Sequence, residues 1–204
     1  MRLILYASFA VFFGMFFAAP QISWARTILC LGDSLTEGYG VKREEAWPAL
    51  LEKSLKAKDP KIKVINAGIS GSTSASGPSR VKWHLKSIKK QPIDVMILAL
   101  GANDALRGLD ISSAEKNILA SIDLAQEAKI SVVLVGMKAP PSLGSDYTKK
   151  FEQMYSKIAQ SNKLILVPFM LEGVAADPKL NQPDGIHPNA AGHKVVAELI
   201  ERYL

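Results

Sequence analysis

The stretch Ile28-Leu29-Cys30-Leu31-Gly32-Asp33-Ser34-Leu35 decides how this chain folds. Its first four residues are an unbroken apolar run, too short for a helix and suited to a strand buried on both faces. The run stops at Gly32, and Asp33-Ser34 follow at once, as where a chain turns out of a sheet. Outward from here the pattern repeats. Short apolar or β-branched runs occupy residues 63–66, 95–100, 132–135 and 164–167, each bounded by Gly, Asn, Pro or polar residues. Between the runs, apolar residues recur at helical spacing. The stripes are Trp47, Leu50, Leu51 and Leu55; Val81, Leu85 and Ile88; Ile118, Ile122 and Ala125; Phe151, Met154, Tyr155 and Ile158; and Ala191, Val195 and Leu199. Five strands alternating with five helices predict an α/β fold, a parallel sheet with helices on both faces. Ligands of such sheets sit at the carboxyl ends of the strands.

Composition narrows the function. The chain has 204 residues, the length of one domain, and 48% apolar against 22% charged residues excludes wholesale disorder. Lys plus Arg is 25 and Asp plus Glu is 19, a modest excess of +6 that we read as spread along the chain, so nucleic acid is not an expected partner. The single cysteine, Cys30, excludes an internal disulfide and a Cys-built zinc site, and reads as a small buried hydrophobe. With only His84, His187 and His193, a His-rich metal site is not expected either.

Residues 1–25 read as a secretory signal peptide rather than as part of the fold. Arg2 is their only charged side chain, an apolar run from Leu3 to Ala19 follows, and Ser23-Trp24-Ala25 puts small residues at the −3 and −1 positions. Cleavage after Ala25 leaves 179 of the 204 residues, 26–204, as one domain in the periplasm or outside the cell. The rival, an uncleaved anchor, has a run slightly short of the roughly 20 residues that span a bilayer.

Four polar or Gly-rich segments follow apolar ones and can meet on one rim: Gly32-Asp33-Ser34-Leu35, the segment from Asn66 to Ser72, Gly101-Ala102-Asn103-Asp104, and Asp184-Gly185-Ile186-His187-Pro188. Ser34 is a hydroxyl at a tight turn and needs a base to become a nucleophile. His187 supplies a base, and Asp184 three residues earlier is spaced to hold its imidazole. Pro188 is read as an early residue of the last helix. Asn103 offers a side-chain amide, and Gly71 and Ser34 offer backbone N–H groups, for a developing oxyanion. Singly these are ordinary turns or caps; their order, each after the right kind of element, is what points to acyl transfer.

The same four segments resemble the blocks of the SGNH, or GDSL, hydrolases over essentially the whole of residues 26–204, and within that family the branch of periplasmic thioesterases, lysophospholipases and arylesterases. Supporting stretches are Ala46-Trp47-Pro48-Ala49-Leu50-Leu51 and Asn103-Asp104-Ala105-Leu106-Arg107-Gly108. The resemblance implies a flavodoxin-like three-layer α/β/α sandwich with a five-stranded parallel sheet, and ester or thioester hydrolysis through an acyl-enzyme without metal or other cofactor. It implies Ser34 as nucleophile, His187 as base, Asp184 as its partner, and Ser34, Gly71 and Asn103 as oxyanion hole, in a monomer. It also implies that residues 104–110 close over the acyl chain. Ser72 and Ala102 depart from the branch, where Asp and a second Gly are common; both bear on substrate range, not on reaction type.

The substrate is then a small-molecule or lipid ester, with O-acetylated envelope or other polysaccharide as the alternative. Leu106 and Leu109, with Pro140 and Leu143 of the Pro/Gly-rich segment 137–147, are candidate walls of an acyl slot. Arg80, Lys82, His84, Lys86, Lys89 and Lys90 make the densest basic stretch, a solvated face or a weak contact with a membrane surface. Trp47 and Trp83 read as core, His84 as surface, and His193 as the weaker rival for the base, lacking an Asp three residues before it.

Overall fold

In a computed structural model, which describes residues 27–87 and 92–204, the five runs form β1 (Thr27–Gly32), β2 (Lys63–Gly68), β3 (Val95–Ala99), β4 (Ser131–Val135) and β5 (Ile165–Val167). Every pairing is parallel, in the order β2-β1-β3-β4-β5. This is the flavodoxin-like order, with its switch point between β1 and β3. The unalternating sequences of β1 and β3 are explained by burial: every residue of both is buried. β2 and β5 are the edges and are more exposed. The proposed signal peptide, Ile88 of the Val81–Leu85 stripe, and Lys89 and Lys90 of the basic stretch lie outside the described residues.

Seven α-helices, beside three short 3-10 turns, complete the described part: α1 (Ser34–Glu37), α2 (Trp47–Lys58), α3 (Gly77–Ser87), α4 (Ala102–Leu106), α5 (Ile111–Glu127), α6 (Ser145–Asn162) and α7 (Ala190–Glu201). α2 and α7 pack together on one face of the sheet, and α3, α5 and α6 on the other, giving three layers. The starts are chemical. Pro48 sits in the first turn of α2, the Asp110 carboxylate caps the Ser113 N–H of α5, and the Asn189 side chain accepts from Ala191 and Gly192 of α7. Pro188 therefore precedes the last helix rather than opening it. The predicted stripes of α2, α5 and α6 face the core, where Trp47, Ile118, Ile122, Phe151 and Tyr155 are fully buried. Burying a large apolar side chain stabilises by roughly 1.5–3 kcal/mol. α1 and α4 are single turns, too short to carry a periodic signal.

Two expectations are corrected. Trp83 is 65% exposed, not core: it lies two residues from Val81, about 200° round the helix from the buried stripe. In α7 the buried face runs through Gly192, His193, Val196, Leu199 and Ile200, while Ala191 is exposed and Val195 half-buried. His193, a polar residue, occupies a core position and rotates the face by about one residue.

Candidate active site

Strand register brings the four segments together. Gly32 at the end of β1 stands opposite Gly68 of β2 and Ala99 of β3, so the chain leaves three neighbouring strands at one level. Gly32 is required there, because a Cβ would collide with the Thr36 side chain and the Ala99 carbonyl. Asp33 then caps α1, its carboxylate accepting the Leu35 N–H at 3.0 Å. Ser34 is the first helical residue, and its N–H has no protein acceptor among the described residues.

The last segment is held as a pinned loop. Asn181 bridges Pro188, the Gln182 N–H donates to the His187 carbonyl at 2.8 Å, and the Gln182 amide donates to the carbonyls of Tyr39 (2.7 Å) and Pro188 (3.0 Å). Gly185, at φ +72°, turns the chain between Asp184 and His187. One Asp184 oxygen accepts the Ile186 and His187 N–H groups, each at 3.0 Å, and the other lies 2.7 Å from His187 Nδ1. His187 Nε2 lies 2.9 Å from Ser34 Oγ, joining residues 153 apart in the chain. The Tyr39 ring packs against the imidazole, centroids 4.7 Å apart. Asn103, in the first turn of α4, directs its amide to the Ser72 carbonyl (3.0 Å) and toward Asp33 Oδ2 (3.4 Å). Gly71 adopts φ +75°, which glycine tolerates; its carbonyl accepts from Arg107 at 2.9 Å and its N–H has no protein acceptor among the described residues.

Ser34, Asn103 and His187 open onto a cleft of about 460 Å³ walled mainly by Leu106, Met137, Pro140, Phe169, Leu171 and Ile186. Of the four predicted wall residues, Leu106 and Pro140 line it and Leu109 and Leu143 lie outside it. Leu109 is instead part of an outer strut, its carbonyl accepting from the Tyr147 hydroxyl at 2.7 Å.

This geometry has counterparts. Residues 30–195 match the model of the GDSL-like lipase/acylhydrolase family. The chain belongs to that family. An arylesterase of Vibrio mimicus is 34% identical over 187 residues, 92% of this chain and 91% of the relative. The thioesterase 1/protease 1/lysophospholipase L1 of Escherichia coli K12 is 36% identical over 180 residues, 88% and 84% of the two chains. The psychrotrophic esterase EstA of Pseudoalteromonas sp., solved inhibited by monoethylphosphonate, superposes with a TM-score of 0.81 at 30% identity, covering 87% of this chain and 96% of that one. The three-layer fold is thus that of the SGNH hydrolases, and this acylhydrolase is a carboxylic ester hydrolase.

The electrostatics of the acylhydrolase site separate its two carboxylates. Hydrogen bonds from His187 and the loop N–H groups hold Asp184 down at about 2. Burial pushes Asp33 up to about 6, against its hydrogen bond from Leu35 and the His187 charge. His193 lies outside this hydrogen-bonded chain: its ring is buried, its Nδ1 accepts the Trp47 N–H at 3.3 Å, and burial lowers it to about 4. His84 is half-buried rather than a surface residue, and is lowered by burial and by Arg80. Among the described residues no group of three His, Cys, Asp or Glu is arranged to hold a metal ion.

Several contributors escaped the sequence reading. Asp104 is buried and accepts from Ser74 through backbone (2.8 Å) and hydroxyl (2.6 Å), tying α4 to the loop that carries Gly71. Phe169 and Leu171 wall the cleft from the segment after β5; the apolar Phe169-Met170-Leu171 directly after a strand was the available signal. Tyr39 and Gln182 had none.

Proposed function

We propose that this acylhydrolase cleaves carboxylic esters and thioesters of medium to long acyl chains through a covalent acyl-enzyme on Ser34. His187 Nε2 takes the Ser34 proton as Oγ attacks the acyl carbon. Asp184 fixes the imidazole tautomer and stabilises the imidazolium. The Ser34 and Gly71 N–H groups and the Asn103 amide receive the oxyanion, each donor worth about 10²- to 10³-fold in rate. His187 then protonates the departing alcohol or thiol. A water attacks the acyl-enzyme through the same base, releasing the acid and restoring Ser34.

The observation that carries this is the Ser34–His187–Asp184 chain at 2.9 and 2.7 Å, opening onto a cleft walled by apolar side chains. The relatives' names, among them an esterase inhibited by monoethylphosphonate, support arylesterase, thioesterase and lysophospholipase substrates. We place the enzyme outside the cytoplasm, exported by residues 1–25 and working as a monomer of residues 26–204.

The test is hydrolysis of p-nitrophenyl esters from acetate to palmitate beside Ser34→Ala. Turnover peaking at medium or long chains, with a loss of about 10⁴-fold or more in the variant, is expected. Cleavage of acetate alone moves the assignment to an O-acetyl esterase of polysaccharide. A variant as active as the wild type removes Ser34 from the mechanism.

A further inference from the structure

The net charge is not spread along the chain. Residues 60–93 carry seven of the 25 Lys and Arg and none of the 19 Asp and Glu, leaving the other residues near balance with 18 basic and 19 acidic. In the fold the described part of this stretch holds β2, the loop after it and α3, while Lys89 and Lys90 lie outside the described residues. β2 is an edge, with β1 on one side and, among the described residues, no strand on the other. Along that edge Ile65, Ala67, Ile69, Arg80 and Trp83 line a shallow groove of about 780 Å³. Trp83 is 65% exposed and Ile69 53% exposed, and Lys82 and Lys86 beside them on α3 are exposed. His84 braces the indole edge-on, ring centroids 4.7 Å apart. Arg80 forms the floor, donating to the Ala67 carbonyl. The groove adjoins the active-site rim, since the Ile69 N–H donates at 3.2 Å to the Gly32 carbonyl, two residues before Ser34.

An indole and an isoleucine exposed beside Lys82 and Lys86, with Glu37 the carboxylate that accepts from the neighbouring Ser70 N–H at 2.7 Å, match the headgroup layer of an anionic bilayer. Amphipathic rings favour that layer, and each nearby Lys or Arg adds attraction to its phosphates. Single-stranded nucleic acid fits less well, because binding it relies on successive stacking platforms and the groove offers one free aromatic. A second copy pairing at the β2 edge would set this basic face against itself across a two-fold contact.

We propose that the β2–α3 face docks the protein on anionic phospholipid membranes, with Trp83 and Ile69 entering the headgroup layer and Lys82 and Lys86 meeting lipid phosphates. Docking does not depend on the ester reading, and its test uses no turnover. The full chain is floated with vesicles of phosphatidylcholine alone or mixed with phosphatidylglycerol. Binding to the mixed vesicles is expected to exceed binding to the neutral ones. It should weaken about 25-fold in Lys82→Gln/Lys86→Gln, at about fivefold per charge. Trp83→Ala should weaken it as well, and high salt should abolish it. Thermal melting checks that both variants stay folded. Equal binding to both vesicles, or equal binding by all three proteins, is what the apolar residues 3–19 would give and overturns the proposal. So does a single-stranded oligonucleotide whose binding falls by the same factor in the lysine variant, which would mark a general polyanion surface. Dimerisation abolished by the same substitutions, without vesicle binding, overturns it in favour of a second copy.

Discussion

Asp33→Asn removes a charge directly beneath the candidate nucleophile, and the structure fixes the sign of its effect. Burial raises the Asp33 pKa from 3.8 to about 6, roughly two units, each worth about 1.4 kcal/mol. The folded state therefore holds this proton more tightly than the unfolded chain. The wild type is least penalised below about pH 4, loses stability as pH rises toward about 6, and above that carries a cost of about 3 kcal/mol. Asn is an N-cap as good as Asp, and its oxygen can keep the Leu35 N–H. Its nitrogen, however, faces the Asn103 amide where the carboxylate oxygen now lies at 3.4 Å, donor against donor, at a cost of about 1 kcal/mol. The variant should be more stable than the wild type by about 2 kcal/mol near pH 8 and less stable by about 1 kcal/mol near pH 4. Urea titrations at the two pH values measure this, and comparing two proteins cancels every other titrating group. For a domain of this size the gain near pH 8 corresponds to roughly 4–8 °C in Tm. Ester hydrolysis should fall, because the repulsion displaces Asn103 from the position proposed for it at the oxyanion. A stability difference that is the same at both pH values would refute the buried-carboxylate argument.

Three further outcomes follow from the same geometry. His193 has the opposite sign: its folded pKa of about 4 lies below the ordinary 6.5, so its stabilisation is complete above about pH 6.5 and about 3 kcal/mol is lost as pH falls to 4. His193→Gln keeps an acceptor for the Trp47 N–H and should lose that much less between pH 7 and pH 4 in urea melts; an unchanged slope would contradict it. Asp184→Asn should lower kcat by about 10⁴-fold. Because Asp184 titrates near 2, the acid limb of the wild-type pH–rate profile should show no ionisation attributable to it above about pH 3; a variant within tenfold of wild type would remove Asp184 from the mechanism. Gly101→Ala should cost about 3 kcal/mol, since Gly101 holds φ +121° and a Cβ would strike the Tyr155 hydroxyl that donates to the Leu100 carbonyl; thermal melting checks this, and an unmoved Tm would sink it.

The parts of the site that were legible are those spelled locally. Ser34 after Gly32-Asp33, and His187 three residues after Asp184, are short peptides whose chemistry shows in their order, and the structure brings both into one hydrogen-bonded chain. The cleft wall was legible by half. Leu106 and Pro140 line it, but Leu109 faces outward in the strut with Tyr147, because a loop's apolar residues carry no period that says which way they point. Trp83 shows the converse error: large aromatics are usually buried, but helical phase, set by Val81, overrode the tendency.

The sequence by itself determined the parallel α/β class, the number of strands and the class of ester hydrolase. Unalternating apolar runs, helical stripes and short polar blocks are local signals, and each is complete within a few residues. The tertiary structure alone decided the rest. It levelled Gly32 with Gly68 and Ala99, closed 153 residues of chain between Ser34 and His187, buried Asp33 while leaving Asp184 near solvent, and set Ile69 and Trp83 exposed along one sheet edge. Those facts are distances and burial between residues remote in the chain, which register and packing set and sequence spacing does not encode.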